Sequence, residues 1–293
     1  MLLNLDLAGA EFVVVAHLCR DPAMLDIVHQ KKSPHVVTAN RMFGVDEPTI
    51  LAEEKLNAKA SDPEVIAANR RTLGLVQPNL PRTMSLRQAA KRNVHSGNYR
   101  IGYREFALHN EIEEREAKRF IALYTTAYPG LPKWWDATDA QIRKTRTLEN
   151  CFGRKCYFMG QMGQDEFKKA YAFIPQSTVA DNCLTAMVRV MEDDSPDVAA
   201  ASLLAQVHDS LLYQYPSTDF AAMARFAIAV GRRYMRPVLR YHEAEFQLDT
   251  DLKVGLDWAR MLEVKLTDDA DDLAERLEKA YALLRTAQHA AAA

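Results

Sequence analysis

Long apolar runs are missing from this sequence. No uninterrupted hydrophobic stretch approaches the ~18 residues that a bilayer-spanning helix needs, so a helical membrane protein is not expected. The first residues, Met1-Leu2-Leu3-Asn4-Leu5-Asp6, carry no basic segment, and no signal peptide is expected. Cysteine is scarce: Cys19, Cys151, Cys156 and Cys183 are the four in 293 residues. The close pair Cys151 and Cys156 lacks the second pair that a structural zinc site would need. All four are expected as reduced thiols, which suits a cytoplasmic protein. Internal repeats are also absent, and low complexity is confined to the terminal alanines.

What is present is an ordinary globular mixture, 48% hydrophobic and 26% charged, long enough for one large or two modest domains with a real core. The net charge of -2 hides a polarised distribution. Residues 82–104 hold Arg82, Arg87, Lys91, Arg92, Arg100 and Arg104 and no acid, whereas the last thirty residues gather Asp268, Asp269, Asp271, Asp272, Glu275 and Glu278. A basic block of this kind suits phosphates, and it also suits a plain solvated face.

Local patterns predict the elements. Residues 2–8 fit a buried strand, and 12–18 continue toward Leu25 with helical spacing. The Pro- and Asn-containing text over 62–83 reads as a loop. Ser85 followed by Gln88 resembles a capping box opening a helix to about Ile101. Helices are expected over 110–127, over 166–192 with a kink or break at Pro175, and over 218–235. A last amphipathic helix over 268–288 carries Leu273, Leu277, Tyr281 and Leu284 on one stripe. In "LLAQVHDSLLYQYP", residues 203–216, two apolar runs flank His208-Asp209-Ser210, the pattern of a hairpin whose tip bears a histidine and an aspartate.

Within the helix at 85–101, Arg87, Lys91, His95 and Tyr99 stand four residues apart. Four residues turn an α-helix by about 400°, so each side chain sits ~40° from the one before and the four line one face. Two cations followed by two rings match the layout of a nucleoside triphosphate, with phosphates at one end and a sugar and flat base at the other. The same spacing also describes a solvent-exposed basic face with a half-buried tyrosine.

"RQAAKRNVHSGNY" resembles the fingers-helix motif of the family A, or polymerase I group, DNA polymerases. "NLDLAGAEFVVVAHLCRDPAM" is similar to that family's first carboxylate motif and "QVHDSLL" to its second. "HVVTANRMFG", "YPGLPKWW", "GRKCYF", "IPQSTVADN" and "LKVGLDW" follow in family order, so the resemblance runs colinearly from residue 1 to about 262. It implies an α+β fold: an antiparallel palm sheet with a mostly helical fingers domain inserted in it. The implied division is palm over 1–48, fingers over 49–165, palm again over 166–262, and a helical extension over 263–293.

The resemblance also implies roles. Asp6 and Asp209, with the backbone carbonyl of Leu7, would hold two magnesium ions. Arg87, His35 and Lys91 would grip the triphosphate of a dNTP, and Lys91 would also protonate the leaving pyrophosphate. His95 and Tyr99 would border the incoming nucleotide, and Glu11 would exclude a ribose 2′-hydroxyl. Gln206 and His208 would meet the primer terminus, while Arg154, Lys168 and Gln176 would touch template-primer DNA. Lys168 reads equally as surface charge.

Four positions depart from the family pattern. His95 replaces the usual Phe or Tyr, Arg100 replaces a Gly, Ser210 replaces an acid, and Ala172 replaces a polar residue before "PQ". The implied activity is template-directed DNA synthesis. Competing readings are a non-catalytic DNA-binding subunit derived from a polymerase and a single-subunit RNA polymerase. Thumb and exonuclease sequence is not seen, which implies a split polymerase completed by a second polypeptide, or an excised fragment. The stripe over 268–288 is open to two roles, a dock for that partner or packing on its own palm.

Overall fold

The computed structural model describes residues 1–58, 60–77, 80–217 and 219–292, with side chains described to residue 288. Lys59, Pro78, Asn79, Thr218 and Ala293, which fall within the expected fingers, loop, helix and extension, lie outside the described residues. Strand β1 (Leu2–Leu7) leads into α1 (Ala10–Cys19), then α2 (Pro22–His29), α3 (Pro34–Phe43), α4 (Glu47–Asn57) and α5 (Pro63–Thr72). Helices α6 (Leu86–Asn98), α7 (Tyr103–Asn110), α8 (Glu114–Ala127) and α9 (Gly130–Thr145) precede a short hairpin of β2 (Thr147–Glu149) and β3 (Lys155–Tyr157). The long α10 (Gln164–Met191) and the single turn α11 (Pro196–Ala199) lead to the hairpin β4 (Ser202–Val207) and β5 (Ser210–Gln214). Helix α12 (Phe220–Ile228) continues as a π-helical turn over Ala229–Tyr234. Strands β6 (Leu239–Tyr241), β7 (Ala244–Phe246), β8 (Thr250–Gly255) and β9 (Met261–Val264) are followed by α13 (Ala270–Ala292).

Two compact units result, one of residues 1–11, 150–154 and 176–293, the other of residues 12–149 and 155–175. The chain passes between them within α1, around the β2–β3 turn and at Pro175, where the sequence reading drew its boundaries at 48–49 and 165–166. The first unit holds an antiparallel sheet in the order β4-β5-β1-β8-β9. Central β1 buries Leu3, Leu5 and Leu7. Tyr213 of β5 meets Phe226 of α12 edge to face, with ring centroids 5.1 Å apart. Together these apolar side chains make the α+β fold that the pattern predicted.

Helix α13 packs on α12, β8 and β9 of this same unit, burying Leu273, Leu277 and Leu284. Of the two roles open to its stripe, packing on its own unit is the one the fold uses. An apolar stripe beside an apolar sheet is covered at no translational cost when both lie on one chain.

The second unit is mostly helical, and α6 runs through it. Leu86, Ala89, Ala90, Asn93, Val94 and Gly97 repeat at helical spacing and are buried. Leu86, Ala89 and Ala90 pack with Val36, Met42 and Phe43 of α3, Ile50 of α4, and Phe106 and Phe120 of α7 and α8. Gly97 is required by this approach, since a Cβ there would lie 2.6 Å from the Tyr124 ring of α8.

Three local expectations need correction. Helix α5 occupies part of the expected loop at 62–83. Pro63 sits in the first turn, where the missing N–H costs nothing, and Asp62 caps it by accepting from Glu64 N at 2.8 Å, so the residues that read as a loop open a helix. The helix expected from 110 begins at Glu114, because Glu111 takes a left-handed φ of 53° that ends α7 first. Of the kink or break expected at Pro175, the break does not occur: α10 continues through it, since losing one N–H does not end a 28-residue helix.

A buried ion pair organises the start of α6. The Arg70 Nε of α5 donates to Glu53 Oε1 of α4 at 2.9 Å, and both side chains are almost fully buried. Arg70 also donates to the carbonyls of Pro81 and Met84, and Glu53 Oε2 accepts the N–H of Leu86 at 3.0 Å, the first residue of α6. One carboxylate therefore satisfies an orphan helix N–H and joins α4, α5 and the segment leading into α6. Glu53→Gln leaves a guanidinium buried with no counter-charge, and it is expected to lower stability by about 3–5 kcal/mol. Urea unfolding followed by far-UV circular dichroism checks this, and a change under ~1 kcal/mol would contradict it.

Candidate active site

The residues singled out from the sequence fall into two groups, one in each unit. In the first unit, antiparallel pairing sets Asp6 of β1 opposite Ser210 of β5, one residue from Asp209. The Leu7 N–H donates to the Asp209 carbonyl at 3.1 Å, tying the end of β1 to the hairpin tip. That tip is a two-residue turn. His208 holds φ +52°, a left-handed conformation in which histidine is enriched among non-glycine residues. The Ser210 hydroxyl donates to Val207 O at 3.0 Å, and Gln206 Nε2 donates to His208 O at 2.7 Å. Strand pairing and bracing thus fix Asp209 beside Asp6.

The electrostatics of the pair are those of two like charges in a partly dry place. Burial, then the charge of Asp209, raise the Asp6 carboxyl from an ordinary 3.8 to about 6, while Lys253 of β8 pulls the other way. Cys183 of α10 is fully buried behind them, and burial, then the charges of Asp209 and Asp6, push its thiol up to about 12. The Asp6 carboxyl, with its raised proton affinity, and the adjacent Asp209 form an anionic site in want of a cation. Their oxygens, with the neighbouring backbone, are the donor set that magnesium accepts, so these residues fit that ion. Among the described residues no group of three or more His, Cys, Asp and Glu side chains is poised around one point. Neither Cys183 nor Lys253 was singled out from the sequence, for their roles depend on a helix and a strand distant in the chain.

Glu11 lies in the first turn of α1, five residues past Asp6 and partly exposed. Gln206 and His208 are exposed at the hairpin. Arg154 is half-exposed and paired with Asp181, a carboxylate that also accepts from Asn150 Nδ2 at 2.7 Å. Gln176 is exposed on α10.

In the second unit the buried stripe of α6 turns Arg87, Lys91 and His95 to the other side, in one row. Lys91 and His95 are exposed, Arg87 and Tyr99 partly so, and Tyr99 is the residue on which the helix ends. Helix α3 brings His35 to this row, its ring centroid 6.2 Å from that of His95. Burial, then the charges of Arg87, His95 and Lys91, depress the His35 imidazole to about 3. His35 is therefore neutral at physiological pH, with a buried Nδ1 that has no hydrogen-bond partner. A cluster that suppresses its own protonation is short of negative charge, the counterpart of the cation-poor pair in the other unit.

Arg100 holds φ +54°, which accounts for a glycine in the family pattern. Here the strain is offset by contacts of the guanidinium with Asp139 at 3.2 Å and the Tyr171 hydroxyl at 3.0 Å. Lys168 pairs with Glu105 of α7.

Comparison with known proteins agrees with these motifs. The sequence model of DNA polymerase family A matches residues 76–260, well over half the chain. The thermostable DNA polymerase I of Thermus aquaticus is 25% identical over 264 residues, covering 88% of this chain and 27% of that protein. DNA polymerase I of Deinococcus radiodurans is 26% identical over 263 residues, covering 88% and 23%. The chain thus spans about a quarter of the length of these relatives. A solved POL domain of Pol1 from M. smegmatis, in complex with DNA primer-template and dNTP, shares the fold with a TM-score of 0.63 at 19% identity, over 86% of this chain and 38% of that one. With the matched stretch taking in both the cationic row of α6 and Asp209, the chain belongs to DNA polymerase family A.

Proposed function

We propose that this chain is the palm and fingers portion of a DNA-directed DNA polymerase, joining dNTPs to a primer 3′-hydroxyl on a DNA template. The observation that carries the reading is the Asp6–Asp209 pair, held by strand pairing at the tip of a braced turn. The solved relative that holds primer-template and dNTP supports the choice of substrates. The matched relatives extend far beyond this span. On this reading thumb and exonuclease-like functions come from sequence outside this span, and the setting is the cytoplasm of a bacterial or phage-infected cell.

Asp6, Asp209 and the Leu7 carbonyl would hold two magnesium ions. When bound there, magnesium supplies Lewis acidity at the primer hydroxyl and at the departing pyrophosphate. The protein's own residues do the rest. Arg87, Lys91 and His35 take the triphosphate, two through charge and His35 through a neutral imidazole able to donate one N–H. Lys91 gives a proton to the leaving pyrophosphate. His95 and Tyr99 border the base and sugar, and Glu11 fills the space of a 2′-hydroxyl, favouring dNTPs. Gln206 and His208 meet the primer terminus, and Arg154, Lys168 and Gln176 touch the duplex. Arg154 and Lys168 do so from within ion pairs, so each DNA contact is shared with a carboxylate.

Primer extension with magnesium and dNTPs tests the reading. Asp209→Ala is expected to lower the rate at least about 100-fold, a loss that follows from removing groups that stabilise transition-state charge. Extension that survives the substitution would contradict it.

A second measurement needs no turnover. The folded-state value of Asp6, about 6, lies above the ordinary 3.8, so the folded chain binds this proton more tightly than the unfolded chain does. The resulting stability is full below 3.8 and is lost as pH rises through about 6. In chelator, Asp6→Asn is expected to melt higher than wild type at pH 7.5, with the gap closing below 3.8. Magnesium should raise the wild-type melting temperature and leave that of Asp6→Asn unchanged. Equal gains in both would remove Asp6 from the metal site.

A further inference from the structure

Helix α4 offers two consecutive glutamates to α6, and they do different things. Glu53 is buried and secures the helix start through Arg70 and the Leu86 N–H. Glu54 reaches Arg87 instead, with Oε1 accepting from Nη1 at 2.7 Å and the two side chains 31% and 32% exposed. Glu54 lies outside the stretch matched by the family model, whereas Arg87 lies inside it.

The surroundings of this contact are cationic. Arg87, Lys91 and His95 all act on His35 to suppress its protonation. A carboxylate set into such a cluster is a stand-in for the anion the cluster is short of. It engages one terminal nitrogen of the guanidinium, so the planar fork that suits a phosphate is only partly used. An ion pair of this exposure is weak enough to be exchanged for a stronger anion.

We propose that Glu54 is an internal competitor for the polyphosphate. It occupies Arg87 while the site is empty and is displaced by phosphate oxygens, so it sets how tightly the site holds a triphosphate. This rests on the reading of Arg87 as a triphosphate ligand. The consequence runs against the usual direction of a mutation at a binding site. Removing the charge of Glu54 improves binding, because Arg87 is released and a negative charge beside the phosphates is gone. A residue that merely supported the shape of the site would weaken binding when changed.

Titration of the full chain with inorganic tripolyphosphate, without divalent cations and followed by calorimetry, tests this. Four proteins are compared: wild type, Glu54→Gln, Arg87→Gln and the double variant, each checked by circular dichroism. Glu54→Gln is nearly isosteric and is expected to bind about fivefold more tightly, the ratio that corresponds to ~1 kcal/mol. Arg87→Gln is expected to bind more weakly, and the gain from Glu54→Gln should vanish in the double variant. If Arg87→Gln leaves binding unchanged, the triphosphate reading of Arg87 itself fails. If Arg87→Gln weakens binding but Glu54→Gln fails to tighten it, that reading stands and the competitor role is overturned. A gain that persists in the double variant also overturns it, by showing a general effect of net charge.

Discussion

Two carboxylates repel each other, and in a partly buried place the repulsion is felt as a raised proton affinity. Holding Asp6 and Asp209 together therefore needs a backbone that cannot relax, and much of the first unit serves that need. Strand β1 is paired on both sides, its Leu3, Leu5 and Leu7 are buried, and its last N–H is hydrogen-bonded to the carbonyl of Asp209. The turn that carries Asp209 is tied across by Ser210 and Gln206. Lys253 offsets part of the repulsion from β8, and Cys183 closes the dry side from α10. An anionic pair that is costly on its own becomes a prepared cation site.

The second unit meets the opposite constraint. Arg87, Lys91, His95 and His35 gather positive charge, and His35 stays neutral as a consequence. Their alignment depends on the buried stripe of α6, which fixes the rotation of the helix, and on Glu53 with Arg70, which fix where the helix begins. Glu54 enters this cluster at Arg87. Each unit thus concentrates charge of one sign beside a group of the other, Lys253 in one and Glu54 in the other.

Where the sequence misled, it did so through residues whose signal depends on position. Pro63 breaks a helix at its middle and opens one at its first turn, and only the neighbouring cap Asp62 separates the cases. Pro175 costs one hydrogen bond in a helix long enough to bear it. Arg100 stands where backbone conformation favours glycine, and its tolerance comes from Asp139 and Tyr171, far along the chain. Arg154 and Lys168 read as DNA contacts, Lys168 equally as surface charge, and each has a carboxylate partner that no local pattern announces.

The sequence by itself determined whatever has a short period. Alternating leucines made β1, four-residue spacing put Arg87, Lys91 and His95 in one row, and the apolar runs about His208-Asp209 made the hairpin. Family order in the motifs then pointed to a polymerase. Tertiary structure decided which distant groups would share a space: Asp6 with Asp209 and Lys253, His35 with Arg87, Glu53 with Arg70, and α13 with α12, β8 and β9. The physical reason is range. Propensity and periodicity act over a few residues along the chain, whereas burial and charge act through space, between residues whose separation in sequence carries no sign that they will meet.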